Sequence, residues 1–200
     1  MKIVFNKPVI GFAAWSGTGK TTLLVQLLPL LKQQGLRVAM IKQTHHEFDI
    51  DQPGKDSYEL RKAGASPMII SSSRRVAIVI EKPVLDPAAD HDADHDANLQ
   101  ELLNCIAADK IDLVLVEGFK QCPFPKIELY RATVGKSLLY PGDAHIIAIA
   151  HDGTLPAVPG IPQLDINQPQ HIADFILQWL PSYLPNPAPS TSMPLPGERE

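Results

Sequence analysis

The sequence predicts an α/β fold: a mainly parallel sheet flanked by helices, with some antiparallel strands in the middle of the chain. Three observations carry that expectation. Short, continuously apolar runs alternate with helical runs, the order found when a sheet is covered on both faces. A glycine-rich turn joins the first apolar run to the first helical one. Finally, 200 residues with 44% apolar and 20% charged side chains supply enough core for a domain.

The elements follow in order. Val9-Ile-Gly-Phe-Ala-Ala14 is short and apolar and reads as a buried strand. Lys20 to Gln34 reads as a helix with Leu24, Leu27, Leu28 and Leu31 on one face and Gly35 as its stop. Pro29 within it predicts a kink or a lost hydrogen bond. Arg37-Val-Ala-Met-Ile-Lys42 is the next strand, and a polar loop from Thr44 to Pro53 leads into a helix over residues 55–63. Pro67–Ser71 and Val76–Ile80 are adjacent extended runs, which suggest an antiparallel pair. Leu99, Leu102, Leu103 and Ile106 have the spacing of an amphipathic helix. Asp112-Leu-Val-Leu-Val-Glu117 is another buried strand. Lys126–Arg131 alternates in polarity and reads as a further antiparallel addition, and His145–Ala150 is the last strand. Asn167 is placed to cap a final helix buried through Ile172, Phe175, Ile176, Trp179 and Leu180, with Pro169 in its first turn.

Residues 1–180 therefore read as one domain, interrupted at 86–97 by a polar insertion containing two Asp-His-Asp-Ala units. The chain carries 19 prolines, and ten of them lie between Pro156 and Pro196. That bias marks residues 181–200 as a proline-rich, disordered tail. A net charge of −4 argues against a chain built to coat nucleic acid or an anionic membrane. Cys105 and Cys122 are too few and too far apart for a disulfide scaffold or a zinc finger. No signal-peptide core follows Lys2, and no apolar run reaches the roughly 18–20 residues a membrane span requires. The expectation is a cytoplasmic protein without nucleic-acid or membrane partners.

Ala14-Trp-Ser-Gly-Thr-Gly-Lys-Thr21 is the strongest signal in the sequence. It stands between a strand and a helix, the context of a phosphate-binding loop, and so specifies a P-loop NTPase-type sheet. Gly17 and Gly19 let consecutive N–H groups curl inward around phosphate oxygens, and the helix N-terminus adds partial positive charge. Ser16 to Thr22 are the nucleotide-binding candidates, comprising Ser16, Gly17, Thr18, Gly19, Lys20, Thr21 and Thr22. Lys20 supplies charge to the β and γ phosphates, and the Thr21 hydroxyl is the expected Mg²⁺ ligand. The first glycine of the strict pattern is Ala14 here. Glu117 ends a buried strand beside Gly118 and is the better carboxylate for metal-bound water, whereas Asp112 lies at the wrong end.

Asp49-Ile-Asp51-Gln-Pro-Gly-Lys55 fails as a calcium loop, because Pro53 takes one ligand position and Leu60 stands where a bidentate Glu belongs. Its place beyond the second strand suits a switch loop instead. Asp49 and Asp51 are weak catalytic or metal-side candidates, and Lys55 is a candidate phosphate partner. The same residues also read as a solvated loop that starts a helix. His45-His46 and the His91/His95 pair are weaker metal candidates.

Taken together, Gly17–Thr22, Arg37–Lys42, Thr44–His46, Asp51–Ser57, Ala63–Ala65 and Val116–Lys120 closely resemble the MobB family, the molybdopterin-guanine dinucleotide biosynthesis adapter proteins. The likeness spans residues 9–179. It implies a GTP-binding, at most weakly GTP-hydrolysing homodimer that works with the MobA-type guanylyltransferase joining GMP to molybdopterin. Molybdopterin or molybdoenzyme-side partners belong to the same expectation. It also places Lys42, His46 and Lys55 at motif positions on the nucleotide edge. The common guanine-reading Asn-Lys-x-Asp motif is absent, and Asp152, just past the last strand, is the candidate substitute. Two rivals stay open: a GTPase metallochaperone resting on the histidines, and a P-loop small-molecule kinase, for which Arg74-Arg75 offers only a poor lid. A binding module without hydrolysis is also compatible, since no residue stands out to orient an attacking water, Gln43 and His46 being the nearest.

Overall fold

A computed structural model describes residues 3–44, 48–81, 98–155 and 160–182. His45, His46, the 86–97 insertion with His91 and His95, and residues 183–200 of the proline-rich tail lie outside the described residues. The elements run β1 (Val9–Ala13), α1 (Lys20–Gln33), β2 (Val38–Lys42), α2 (Asp56–Lys62), β3 (Met68–Ser71), β4 (Val76–Val79), α3 (Leu99–Asn104), β5 (Leu113–Glu117), β6 (Lys126–Tyr130), β7 (Ile146–His151), β8 (Gln163–Asp165) and α4 (Pro169–Trp179). They fall into two compact units: residues 44–95 form one, and the flanking segments 1–43 and 96–200 form the other.

The larger unit holds a six-stranded sheet in the order β2-β5-β1-β6-β7-β8. Every strand pair in it is parallel. Alternation along each strand sorts the apolar side chains between two faces. Ile10 and Phe12 of β1 and Leu113 and Leu115 of β5 join Leu24, Leu27 and Leu31 of α1 and Ile172 and Ile176 of α4 in one buried cluster. Val9, Val114 and Val116 point the other way, onto Leu99 and Leu103 of α3 with Phe119 and Phe124. Gly11 is tied to that second face by close packing: a Cβ there would stand 2.7 Å from the Phe124 ring.

Two local expectations change. Lys126–Tyr130 is a parallel strand inside the sheet and not an antiparallel addition. Its polar alternation misleads because Lys126 and Glu128 are buried and paired rather than solvent-facing. Asn167 does not cap α4: Gln168 is the N-cap residue, Pro169 is the first helical residue, and the Asn167 amide oxygen accepts from Arg131. Helix α1 continues through Pro29 to Gln33, and then Gly35, at φ +83°, reverses the chain as Leu36 N–H returns to the Leu31 carbonyl.

The smaller unit contains α2 and the antiparallel β3–β4 pair, where the adjacent extended runs predicted it. Ile69 faces Ile78 across the pair. Both are exposed, as are Val76 and Ile80. Among the described residues no helix is long and apolar enough to cross a membrane, and neither cysteine is in a disulfide.

Candidate functional site

Strand order places the site. From β1 the chain passes through α1 to β2, which lies beyond β5 on one side, while β6, β7 and β8 continue on the other. The carboxyl end of β1 is thus the point where strand order reverses, the place where open parallel sheets bind ligands. Residues 14–19 leave β1 there and enter α1 directly. Gly17 and Gly19 adopt φ +81° and +94°, left-handed values that side chains disfavour, so the glycines are required by the curl of the loop. Gly19 is the N-cap of α1 with no side-chain cap, which leaves the helix's first N–H groups to serve an anion.

Lys20 lies within the loop it serves. Its Nζ donates to the carbonyls of Ala14 at 3.3 Å and Trp15 at 3.4 Å. Burial lowers the ammonium from its usual 10.5, and the nearby charges of Lys120 and Lys42 push in the same direction against Glu117. An ammonium destabilised by burial and like charge gains most from an arriving polyphosphate. Thr18 closes the turn by donating from its hydroxyl to Trp15 O at 2.8 Å. Ser16, Thr21 and Thr22 are exposed at the loop and first helical turn.

Glu117 ends β5 in register with Phe12 of β1, two residues before the loop begins. It is 9% exposed, with Lys42 Nζ at 3.5 Å. The structure therefore brings Glu117, Lys20 and Lys42 to one edge. A threonine hydroxyl on α1 and a single carboxylate on the adjacent strand are hard oxygen donors, a set that suits a small divalent cation completed by phosphate and water. Among the described residues no three His, Cys, Asp or Glu side chains gather into an all-protein metal cage.

Asp152 follows β7 and is held by Arg131, whose Nη1 donates to its Oδ2 at 2.6 Å. Arg131 also reaches Asn167 Oδ1 at 2.9 Å and the Thr18 carbonyl at 3.2 Å. One guanidinium thus links the phosphate loop to the segments after β7 and β8. Arg131 was not among the sequence candidates, because a lone arginine after a strand carries no motif. Trp15 was missed likewise: its Nε1 donates to Ser137 O at 2.8 Å, and Lys120 and Lys136 lie over its ring. The Ser137 segment is in turn fixed by Glu128, fully buried, whose carboxylate accepts from Leu139 N at 2.6 Å and Tyr140 N at 2.9 Å. Burial raises the Glu128 carboxyl even against those two bonds.

In the smaller unit, Asp49 has both carboxylate oxygens engaged by Arg61 Nη2, at 2.8 and 2.7 Å, and that guanidinium also binds Glu81. The pairing lowers the Asp49 carboxyl. Asp51 Oδ1 accepts from Gln52 N and Ser57 Oγ, while its Oδ2 is buried with no hydrogen-bond partner among the described residues. Lys55 is the N-cap residue of α2.

Comparison with known proteins bears on the fold and the family. Residues 9–152 match the family model described as MobB, Molybdopterin guanine dinucleotide synthesis protein B. The chain is 44% identical to the molybdopterin-guanine dinucleotide biosynthesis adapter protein of Escherichia coli, over 86% of this chain and 93% of that one. It is 38% identical to the Haemophilus influenzae protein of the same name, over 90% and 94% of the two chains. Among solved structures, a molybdopterin-guanine biosynthesis protein B superposes with a TM-score of 0.62 at 24% identity, covering 86% of this chain and 99% of that one. The crystal structure of Bacillus subtilis MobB gives 0.64 at 23% identity, covering 86% and 98%. With a phosphate loop at the switch point of a parallel sheet and this match over most of its length, the chain belongs to the MobB family.

Proposed function

We propose that this protein is a GTP-binding accessory protein of molybdenum cofactor biosynthesis, assisting a MobA-type guanylyltransferase as it attaches GMP to molybdopterin. The observation that carries the reading is the loop 14–21, curled by Gly17 and Gly19 around Lys20 at the sheet's switch point, with Glu117 on the neighbouring strand. Thr21 and, through water, Glu117 are the residues that would hold Mg²⁺ beside the phosphates. The ion would neutralise phosphate charge. Base selection falls to Asp152, which Arg131 fixes beside the loop: a carboxylate accepts from guanine N1 and N2, a match adenine lacks.

Turnover is at most weak. Glu117 and Asp49 already hold cations, and of the catalytic candidates Asp51 is the one with an oxygen lacking a hydrogen-bond partner among the described residues. The protein acts in the cytoplasm as a homodimer. Molybdopterin or a molybdoenzyme-side protein is a further partner.

The test is a pull-down of the guanylyltransferase by this protein with GTP, ATP or no nucleotide. Capture that GTP strengthens more than ATP supports the reading, and Asp152→Ala should erase the difference. Failure to capture the transferase under all three conditions would remove the adapter role.

A further inference from the structure

The phosphate loop carries an aromatic ring with a lysine set over it by a specially built turn. Lys120 Nζ lies 5.0 Å from the centroid of the Trp15 ring, and Trp15 is itself a residue of the loop. Lys120 follows Gly118 at φ +101° and Phe119 at φ +52°, and Phe119 is the only non-glycine residue with positive φ among the described residues. A left-handed conformation costs a residue with a Cβ about 1–2 kcal/mol.

The surroundings hold the turn in place. The Phe119 ring is 1% exposed, and its N–H donates to Gln43 Oε1 at 2.8 Å. On the far side, the carbonyl of Lys120 accepts from Lys126 Nζ at 2.9 Å. That buried ammonium also donates to Cys122 O at 2.7 Å and pairs with Asp143 at 2.8 Å. Backbone before and after Lys120 is therefore clamped from within the core while its side chain stays exposed at the loop. The strain sits on the buried Phe119, next to the exposed Lys120, and backbone strain that the surroundings hold in place collects at functional sites.

The charges point the same way. Lys20 carries the loop's own charge, and Lys42 is already committed to Glu117. Lys120 stacks on Trp15 instead, where a cation–π contact holds the ammonium while leaving N–H donors for an anion. Lys120 is also the charged neighbour that lowers the Lys20 ammonium most, after burial itself.

We propose that Lys120 is a second phosphate-binding cation, delivered by the Gly118–Phe119 turn onto the terminal phosphate of a nucleoside triphosphate held on loop 14–21. The inference rests on the nucleotide reading of that loop and deepens it. Lys120 makes the site discriminate triphosphate from diphosphate, because only the triphosphate extends to it.

The experiment measures affinity for a non-hydrolysable GTP analogue and for GDP, both with Mg²⁺, by calorimetry. It uses the full chain and its Lys120→Gln, Lys120→Arg and Lys20→Ala variants, each checked for its fold by circular dichroism. Lys120→Gln should weaken the triphosphate analogue about tenfold, the scale of one charge-assisted hydrogen bond, and change GDP by less than about twofold. Lys120→Arg should restore most of the loss. Equal weakening of both nucleotides, or no weakening of either, overturns the role of Lys120. Unaltered binding by Lys20→Ala would instead overturn the nucleotide reading itself, so the two failures are told apart.

Discussion

Replacing Gly118 by alanine tests how Glu117 and Lys120 are held together. A Cβ at residue 118 would stand 2.6 Å from Gln43 Cβ and 2.9 Å from Gln43 Oε1, and the residue sits at φ +101°. The left-handed backbone costs about 1–2 kcal/mol for an L side chain. A contact of that kind forces a shift of the packed neighbours, at about 1–3 kcal/mol. The sum of about 2–5 kcal/mol lowers Tm by roughly 10 °C in a chain of this size, at about 2–4 °C per kcal/mol. Gly35 supplies the control, since it has φ +83° and nothing within 4 Å of its Cβ position. Gly35→Ala carries only the conformational cost of about 1–2 kcal/mol and a shift of about 5 °C. Thermal unfolding followed by circular dichroism separates the two variants. Equal shifts would refute the steric account of the turn between β5 and Lys120.

Three further outcomes follow from charges on the page. The Lys20 ammonium lies below 10.5 in the free protein and is restored by phosphate, so nucleotide affinity should fall as pH rises through the free value, with proton uptake on binding at alkaline pH; calorimetry in buffers of different ionisation enthalpy reads that uptake, and its absence counts against Lys20 as the phosphate ligand. Asp112 is lowered from 3.8 to about 2 by Arg37, so its contribution to stability is present above about 4 and lost as pH falls through about 2; the stability gap between the native chain and Asp112→Asn should close over that range in acid unfolding. Lys126→Met leaves Asp143 and the carbonyls of Lys120 and Cys122 without their buried ammonium, at about 3–5 kcal/mol in denaturant unfolding, and a loss under 1 kcal/mol would contradict its clamping role.

Most of the sheet and the loop were legible in the sequence because their signals are local. A five-residue apolar run followed by Gly-Thr-Gly-Lys-Thr states both the strand and the glycine turn that leads it into a helix. Glu117 was legible for the same reason, as a carboxylate ending an apolar run. Lys126 and Glu128 misled because their charges gave the strand an alternating polarity, whereas each finds its partners in residues 120–143, contacts no periodicity records. β8 escaped notice, since three residues, Gln163–Asp165, amid prolines carry too short a pattern. Asn167 looked like a cap by its place before Pro169, but a tertiary partner, Arg131, claims its side chain. Arg131, Trp15 and Lys120 share that lesson: their roles come from neighbours distant in sequence.

The central claim is that Lys20 and its loop bind the phosphates of a guanine nucleotide. Calorimetric titration of the full chain with GTP and Mg²⁺, repeated with Lys20→Ala, tests it most directly. Saturable binding to the native chain and loss of at least about tenfold in the variant is the predicted result, since the charge-assisted contacts of one lysine are at stake. GTP affinity unchanged by Lys20→Ala would contradict it.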